Sequence, residues 1–326
     1  MFHPKQYLQF LFGTLFLIGT LAAGYMYDFS KKFPPPITNR ISFDAKLKFV
    51  REHIDPDQID TIIVGSSIGL NNVIGSKLED YSEKVHHALN LSVYEATTLE
   101  AEQILELAEA FPNVKRIIYS VQYSDLPHAK RYDNYNPEIL RKFMRNELSP
   151  VALSQLLFNA CNNIPFCVER EKKWKNEHMQ SDKFTYLGFD HTGSVPLKIY
   201  KGKGVGGRWY LPHPGIMHPE SFHAIARMAA KARKNGIEFY VAHQPYRPEL
   251  YSKHKSVRDA IKYFDDKIMS IVSKHGGVLI QLQKLPLNDY QFADRTHLND
   301  KGAALATKEI ARTIDKHEKT NKTQGK

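Results

Sequence analysis

An uncharged apolar run near the N-terminus constrains this chain more strongly than any other feature of its sequence. The run from Leu8 to Tyr27 reads LQFLFGTLFLIGTLAAGYMY, and Gln9 is its single strongly polar side chain. A helix of about 20 residues is about 30 Å long, which matches the hydrocarbon core of a bilayer. The sequence therefore predicts a membrane-spanning helix ahead of whatever else the chain folds into.

The predicted helix is either an uncleaved membrane anchor or part of a cleaved signal peptide. Leu21-Ala22-Ala23 resembles the small-residue site at which a signal peptide is cleaved, yet the apolar run continues past it. We therefore favour an uncleaved anchor over a cleaved signal peptide. Basic residues flank the run on both sides, with Lys5 before it and Lys31 and Lys32 after it, so the positive-inside rule does not fix its orientation. Because a second run of this kind does not follow, we expect the remaining chain on one side of the membrane.

The sequence divides into four segments of different composition. Residues 1–27 form the predicted anchor, and residues 28–56 form a stalk and lead-in, in which Pro34-Pro35-Pro36 favours an extended polyproline spacer. Residues 57–315 are expected to fold as one globular domain, with an irregular insertion at about 127–215. Residues 316–326 form a polar tail.

Strand and helix patterns alternate along the globular part of the chain. Apolar runs predict strands at 59–64, 116–121, 237–242 and 278–282, and helical spacing predicts helices at 99–111, 221–235, 256–274 and from about 299 onward. Alternation of this kind is typical of an α/β domain with a mostly parallel sheet. The predicted fold class is therefore α/β, preceded by one N-terminal transmembrane helix.

The charge balance excludes some classes of function and leaves others. The chain has 326 residues, with 45 Lys and Arg against 35 Asp and Glu, which gives a formal net charge of +10. No recognised nucleic-acid-binding module accompanies this surplus, so we expect no nucleic-acid partner. The hydrophobic fraction of 42% excludes disorder for most of the chain. In an exported domain, the basic surplus suits anionic head groups or acidic glycans.

A pair of serines follows the first predicted strand directly. That strand runs into Gly65-Ser66-Ser67, and open parallel sheets bind ligands at the carboxyl ends of their strands. Ser67 is thus a candidate nucleophile, with N–H groups of the turn available to stabilise an oxyanion. The alternative is a serine that caps the following helix. A dinucleotide-binding loop is a poorer interpretation because the G-x-G-x-x-G pattern is absent.

An aspartate and a histidine stand three residues apart near the other end of the domain. In Asp294-Arg295-Thr296-His297, the carboxylate could orient the imidazole, and the imidazole could take a proton from a serine. The D-x-x-H pattern alone is common by chance. Its combination with a serine at the end of a strand predicts a catalytic triad of Ser67, His297 and Asp294.

These two motifs resemble the first and last sequence blocks of the SGNH/GDSL esterase and acyltransferase superfamily. The first block of that family is G-D-S, and here Gly65-Ser66-Ser67 has a serine in place of the aspartate. The last block, D-x-x-H, matches at Asp294 and His297. The resemblance spans about 59–313. It implies an SGNH-like three-layer fold in which Ser67 is the nucleophile.

The two middle blocks of the superfamily are matched less closely. Residues 90–97, NLSVYEAT, look like the second block, and Glu95 falls where the family has its oxyanion-hole glycine. The third block, G-x-N-D, corresponds to residues 120–123, where Gln122 replaces the asparagine. The resemblance therefore implies an oxyanion hole that uses the backbone N–H groups of Ser67 and Glu95 together with the Gln122 amide.

Within the superfamily, the chain looks most like membrane-anchored proteins of cell-surface polymer acylation, such as those of alginate O-acetylation and teichoic-acid D-alanylation. The likeness rests on the G-S-S variant, the N-terminal anchor and the terminal D-x-x-H. It implies a periplasmic domain that takes an acyl group from a donor, works beside a multi-spanning membrane-bound O-acyltransferase and modifies a polysaccharide. A carbohydrate esterase and a catalytically inactive scaffold or glycan-binding protein of the same fold are the alternatives.

Three further groups of residues carry weaker expectations. His243 and Gln244 follow the third predicted strand, so we expect them to contact substrate or to hydrogen-bond their own loop. Cys161 and Cys167 are too far apart for C-x-x-C chemistry and are expected to form a small disulfide or two buried thiols. Histidines between 213 and 223 are spaced by five residues, unlike zinc ligands on a helix, so we expect no metal and no cofactor.

Overall fold

Helices and strands alternate along the part of the chain that the structure describes. The computed structural model describes residues 4–32, 34, 37–38, 40–133, 135–160, 188–200 and 214–324, with the isolated positions 165, 168, 169 and 172. Its helices are α1 (Pro4–Lys32), α2 (Ile41–His53), α3 (Ser67–Asn72), α4 (Gly75–Tyr81), α5 (Thr98–Glu106), α6 (Pro137–Met144), α7 (Pro150–Ala160), α8 (Pro219–Lys234), α9 (Pro248–Lys253), α10 (Lys255–Ser273) and α11 (Asp300–Gln324). Its strands are β1 (Thr61–Gly65), β2 (Ala88–Asn90), β3 (Arg116–Val121), β4 (Glu238–His243) and β5 (Val278–Gln281). Cys161 and Cys167 lie outside the described residues.

The strands that the structure describes form one parallel sheet with the order β2-β1-β3-β4-β5. The mostly parallel sheet expected from the sequence is therefore confirmed. The chain passes from β1 outward to β2 and then back across β1 to β3, so the direction of winding reverses between β1 and β3. Doubly wound sheets bind ligands beyond the carboxyl ends of the strands at this switch point. Ser67 follows β1 and Gln122 follows β3, so both residues lie there.

Helices cover both faces of the sheet, which explains why its central strands are apolar. β1 and β3 are buried along their whole length, as expected for parallel strands between two helical layers. On one face, α2, α5 and α10 contribute Leu47, Ile104 and Phe264 to a single core. On the other face, α4 and α11 contribute Leu78 and Ile310 to a second core. The architecture is therefore a parallel sheet between two layers of helices.

The apolar segment of α1 is exposed, and the helix extends past the predicted end of the anchor. Residues Pro4–Gly24 are apolar enough and long enough to cross a membrane, and none of that segment is buried in the protein. The hydroxyls of Thr14 and Thr20 donate to the carbonyls of Phe10 and Phe16, at 2.8 and 2.9 Å. These bonds satisfy both hydroxyls within an apolar phase. The helix ends at Lys32, so it includes residues that the sequence assigned to the stalk.

The globular domain begins earlier in the chain than the sequence predicted. Ile37 is buried, and the backbone N–H and hydroxyl of Thr38 donate to the Asp44 carboxylate at 2.7 and 2.8 Å. The apolar face of α2 places Phe43 and Leu47 in the core. The predicted boundary at residue 57 therefore moves to about residue 37, because α2 is a packed layer of the domain.

Two other predicted segments are more regular than expected. The insertion at 127–215 contains α6 and α7, and Leu140, Phe143 and Met144 of α6 are buried in the core. The tail at 316–326 is the continuation of α11 as far as Gln324. The difference arises because short amphipathic helices among Asn and Pro residues show too few turns for their periodicity to stand out.

Candidate active site

The two serines at the end of β1 have different roles. β1 ends at Gly65 and α3 begins at Ser67, so the turn lies at the carboxyl edge of the sheet. The Ser66 hydroxyl accepts the Ile68 N–H at 3.2 Å and caps α3. The capping role that the sequence left open for a serine therefore falls to Ser66. The Ser67 hydroxyl stays available for chemistry.

Gly65 permits the close approach of two strands beneath this turn. A Cβ at Gly65 would lie 2.3 Å from the backbone oxygen of Ser120 in β3. A side chain does not fit at that distance, because the backbone of a central strand has no room to move aside. The absence of a side chain at Gly65 therefore places Ser67 beside the end of β3.

The structure brings Ser67, His297 and Asp294 together as a hydrogen-bonded triad. His297 Nε2 is 2.9 Å from Ser67 Oγ, and His297 Nδ1 is 2.7 Å from Asp294 Oδ2. An ionised carboxylate only accepts hydrogen bonds, so Nδ1 carries the hydrogen and Nε2 accepts from the Ser67 hydroxyl. This is the tautomer with which histidine removes a proton from serine. The side chains of His297 and Asp294 are 12% and 11% exposed, which shields their bond from water.

The loop that carries the histidine folds around the Asp294 carboxylate. Asp294 Oδ1 accepts the backbone N–H groups of Thr296 and His297 at 2.8 and 2.7 Å. Burial raises the pKa of Asp294, but the hydrogen bond and charge of the His297 ring and the two backbone N–H groups outweigh it, so the pKa is lowered. The aspartate therefore stays ionised and can stabilise a protonated His297.

Asn72 connects the helix of the nucleophile to the loop of the histidine. Its Oδ1 accepts the Leu298 N–H at 2.9 Å, and its Nδ2 donates to the Thr296 carbonyl at 3.4 Å. Because Asn72 is the last residue of α3, these two bonds set the position of His297 relative to Ser67. No sequence pattern singles out Asn72, since its partners lie more than two hundred residues away along the chain.

Glu95 lies in the left-handed region of backbone conformation, with a φ of 59°. Such a φ favours glycine, which is the residue that the SGNH resemblance implies at this position. The side chain is 84% exposed and lies 3.7 Å from the Arg40 guanidinium. The backbone N–H of Glu95 stays a candidate oxyanion donor, because that role requires no side chain.

The side chain of Gln122 does not have the role that the sequence predicted. It is fully buried, and its Nε2 donates to the carbonyls of Pro245 and Thr296 at 2.8 and 3.4 Å. These two bonds occupy both hydrogens of the amide, so Gln122 has none to offer an oxyanion. The residue instead connects the ends of β3 and β4 to the histidine loop.

His243 and Gln244 are also interior residues rather than substrate contacts. The His243 side chain is 1% exposed, and its Nδ1 is 2.7 Å from Oδ1 of Asp265 on α10. Gln244 is fully buried, and its Nε2 donates to the Ser120 hydroxyl at 3.0 Å. The prediction that they contact substrate is wrong, because both side chains are buried and bonded to other side chains of the protein.

Asp125 is a titratable residue beside the site that the sequence did not suggest. It follows β3 in a short helical turn, and its Oδ2 accepts the Gln122 N–H at 2.8 Å. Burial raises the pKa of Asp125 to about 7, although the Gln122 N–H, the Ser66 and Ser124 hydroxyls and the charge of His297 act in the opposite direction. A carboxyl group near the triad therefore changes its charge close to neutral pH.

Replacing Asp125 with asparagine is expected to change how stability depends on pH. Folded Asp125 keeps its proton up to about pH 7, whereas the unfolded chain releases it near its usual pKa of about 4. Because the folded state binds more protons in this window, wild-type stability falls as pH rises through it. Asparagine does not titrate, so the variant lacks this loss. As pH rises from about 5 to about 8, the free energy of unfolding of Asp125→Asn should therefore rise by about 3 kcal/mol relative to that of wild type. Urea unfolding of the detergent-solubilised chain measures this, and a pH-independent difference would contradict the prediction.

Within the described ranges, no three His, Cys, Asp or Glu side chains are placed to hold a metal ion. No protein family model matches the chain, and no curated protein matches it either. The geometry of the site and the fold that positions it therefore carry the functional argument.

Proposed function

We propose that this protein is a membrane-anchored serine O-acyltransferase that adds acetyl groups to an extracytoplasmic polysaccharide. The observation that supports it most is the triad, in which bonds of 2.9 and 2.7 Å join Ser67, His297 and Asp294 at the switch point of the sheet. An SGNH-like domain on the periplasmic side of the inner or plasma membrane, and a multi-spanning O-acyltransferase as partner, belong to the same proposal. They follow from the sequence resemblance together with the apolar helix α1.

The proposed reaction proceeds through an acyl-enzyme. His297 Nε2 takes the proton of the Ser67 hydroxyl as Oγ attacks the acyl carbonyl, and Asp294 stabilises the imidazolium that forms. The bond between the acyl carbon and the donor's leaving group then breaks, and His297 returns the proton to that group. A sugar hydroxyl next attacks the acyl-enzyme and gives its proton to His297. Release of the sugar ester restores the Ser67 hydroxyl.

Two backbone N–H groups are the proposed oxyanion donors. Ser67 is the first residue of α3, so its N–H has no acceptor within the helix. The Glu95 N–H is the second donor, held by a backbone conformation that glycine would ordinarily occupy. Each such donor lowers the barrier by about 3 kcal/mol in enzymes of this chemistry. Together they replace the side-chain amide that Gln122 does not supply.

The two alternative functions differ in how well they account for the site. A carbohydrate esterase requires the same residues, because water can take the place of the sugar hydroxyl in the second step. An inactive scaffold does not require a serine, a histidine and a buried aspartate at hydrogen-bonding distance from one another. The hydrogen-bonded arrangement of Ser67, His297 and Asp294 therefore favours an enzyme over a scaffold.

Acceptor-dependent acetyl transfer tests the proposal. Full-length protein incubated with an activated acetyl ester and an acetyl-free acidic polysaccharide should add whole acetyl units to the polysaccharide, as measured by mass spectrometry. The Ser67→Ala protein should add none. Acetate release at a rate that the polysaccharide does not change, with no acetyl gain, would instead identify an esterase.

A further inference from the structure

The loop that carries His297 is a closed turn with an arginine at its tip. Phe292 pairs with Leu298 in an isolated antiparallel bridge, and the Ala293 N–H donates to the His297 carbonyl at 2.9 Å. Arg295 lies in the middle of this turn, two residues before His297. The Cα atoms of these two residues are therefore at most about 7 Å apart. The turn holds the backbone of Arg295 in a fixed position beside the triad.

The guanidinium of Arg295 has no partner among the residues that the structure describes. The side chain is partly exposed, and it forms no hydrogen bond and no ion pair within the described ranges. The cations nearby differ in this respect. Arg247 is 2.9 Å from Asp289, and Lys253 is 2.8 Å from Glu249. All five N–H donors of the Arg295 guanidinium are therefore available to a ligand.

The charge of Arg295 acts on the side of the triad where α9 lies. The pKa of Glu249 on α9 is lowered chiefly by the hydrogen bond from Lys253, and the charge of Arg295 adds a smaller contribution. α9 (Pro248–Lys253) follows the carboxyl end of β4, at the same edge of the sheet as the triad. Arg295 therefore lies at the rim of the candidate active site, between His297 and α9.

An exposed aromatic ring stands in the same segment, two residues before the closed turn. Tyr290 is 75% exposed, yet its backbone is held on both sides. Its N–H donates to Asn288 Oδ1 at 3.0 Å, and its carbonyl accepts the Asn299 amide at 2.7 Å. A tyrosine on a fixed backbone gives a ligand a large contact surface at a low cost in conformational entropy. The C–H face of a sugar ring can pack against such a surface.

We propose that Arg295 and Tyr290 form a subsite for a sugar unit that carries an anionic group, and that this unit belongs to the acceptor polysaccharide. Its role as part of the acceptor rests on the proposed function, whereas its binding does not. The guanidinium donates paired N–H groups to the anionic oxygens, and the tyrosine ring packs against the sugar. Because Arg295 is two residues from His297, the bound unit holds neighbouring hydroxyls of the polymer close to Ser67.

Binding to a polysaccharide with and without its charge tests the subsite. Calorimetric titration uses the detergent-solubilised full-length Ser67→Ala protein, with polygalacturonate and its methyl ester as the two ligands. Adding Arg295→Gln should weaken binding of polygalacturonate about tenfold and leave binding of the methyl ester unchanged, because the ester has no charge to lose. Adding Tyr290→Ala should weaken both about threefold. Arg295→Gln removes no contact within the described part of the chain, so its unfolding temperature should equal that of its parent.

Arg233→Gln is the matched control for the effect of net charge. Arg233 is exposed near the end of α8, and its guanidinium donates to the Lys274 carbonyl at 2.8 Å. α8 ends just before β4 begins, so this residue lies at the opposite edge of the sheet. Its replacement removes the same charge and should weaken binding of polygalacturonate less than about twofold. Equal losses in the Arg233 and Arg295 variants would overturn the subsite.

A second pair of ligands distinguishes the two kinds of anionic group that a guanidinium binds. A phosphorylated mannan and the same mannan after phosphatase treatment repeat the comparison for phosphate. A loss on Arg295→Gln with one charged polymer alone assigns the group, to carboxylate or to phosphate. A loss with neither polymer would overturn the proposal.

Failure of the subsite and failure of the proposed function give different results. Binding is measured without the nucleophile, so it does not depend on whether the protein is an enzyme. If Ser67 of the wild type forms no acetyl adduct while binding still depends on Arg295, the proposed function fails and the subsite stands. If the adduct forms and Arg295→Gln binds every polymer as tightly as its parent, the subsite fails and the proposed function stands.

Discussion

Ser67→Ala is expected to lower kcat for an activated acetyl ester by at least about 10⁴-fold. The substitution removes the Oγ that lies 2.9 Å from His297 Nε2, so no acyl-enzyme forms and only water attack within the site is left. Initial rates with a chromogenic ester measure the loss. Mass spectrometry of the intact protein should show an acetyl adduct on wild type that the variant lacks.

Ser66→Ala is the matched control for that experiment. It removes a neighbouring hydroxyl of the same kind, one that caps α3 instead of contacting His297. We expect a stability loss of about 1 kcal/mol and turnover within about tenfold of wild type. If Ser67→Ala keeps wild-type turnover, or if Ser66→Ala loses as much activity, Ser67 is not the nucleophile.

Asp294→Asn is expected to lower kcat by about 10⁴-fold with little change in KM. The asparagine oxygen can still accept the backbone N–H groups of Thr296 and His297, so the loop should keep its shape. Its NH₂ group, however, donates toward Nδ1, which moves the imidazole hydrogen to Nε2 and removes the acceptor for Ser67. The same chromogenic assay measures the loss, and thermal unfolding verifies that the variant is folded.

Asp289→Asn serves as the control for the Asp294 variant. Asp289 lies in the same part of the chain and pairs with Arg247 at 2.9 Å, outside the triad. Its replacement should leave kcat within about twofold of wild type, since Asp289 pairs with Arg247 and not with a residue of the triad. Equal losses in the two variants would mean that Asp294 acts through folding alone.

Prediction of the fold succeeded where hydrophobic runs are long. The strand at 116–121 has the bounds that its apolar run indicated, because a strand buried on both faces is apolar throughout. β2 was missed, since three residues, Ala88–Asn90, are too few to show a pattern. The sequence analysis placed α2 in the lead-in, because no pattern in residues 41–53 indicates that they pack against the core. Short elements take their structure from neighbours that a linear pattern does not identify.

Prediction of the site depended on whether the role of a residue follows from its type. Serine, histidine and aspartate at the ends of an α/β pattern suggested Ser67, His297 and Asp294, and the structure brings these three together. Gln122 and His243 stand at the ends of strands in the sequence, yet both side chains point into the interior. Their direction depends on sheet register and on the helices packed against each face, which sequence position does not reveal.

Local features of the sequence were enough to predict the apolar helix, the α/β class with a mostly parallel sheet, and the candidate triad. Each of these depends on local properties, namely the length of an apolar run, its periodicity and the chemistry of a few side chains. Which serine caps α3 and which faces His297 became clear from the folded chain, since Ser67 and His297 are 230 residues apart. The same holds for Gln122, whose amide donates to the backbone carbonyls of Pro245 and Thr296. These features depend on contacts between distant segments, which exist only after the sheet has set strand order and register.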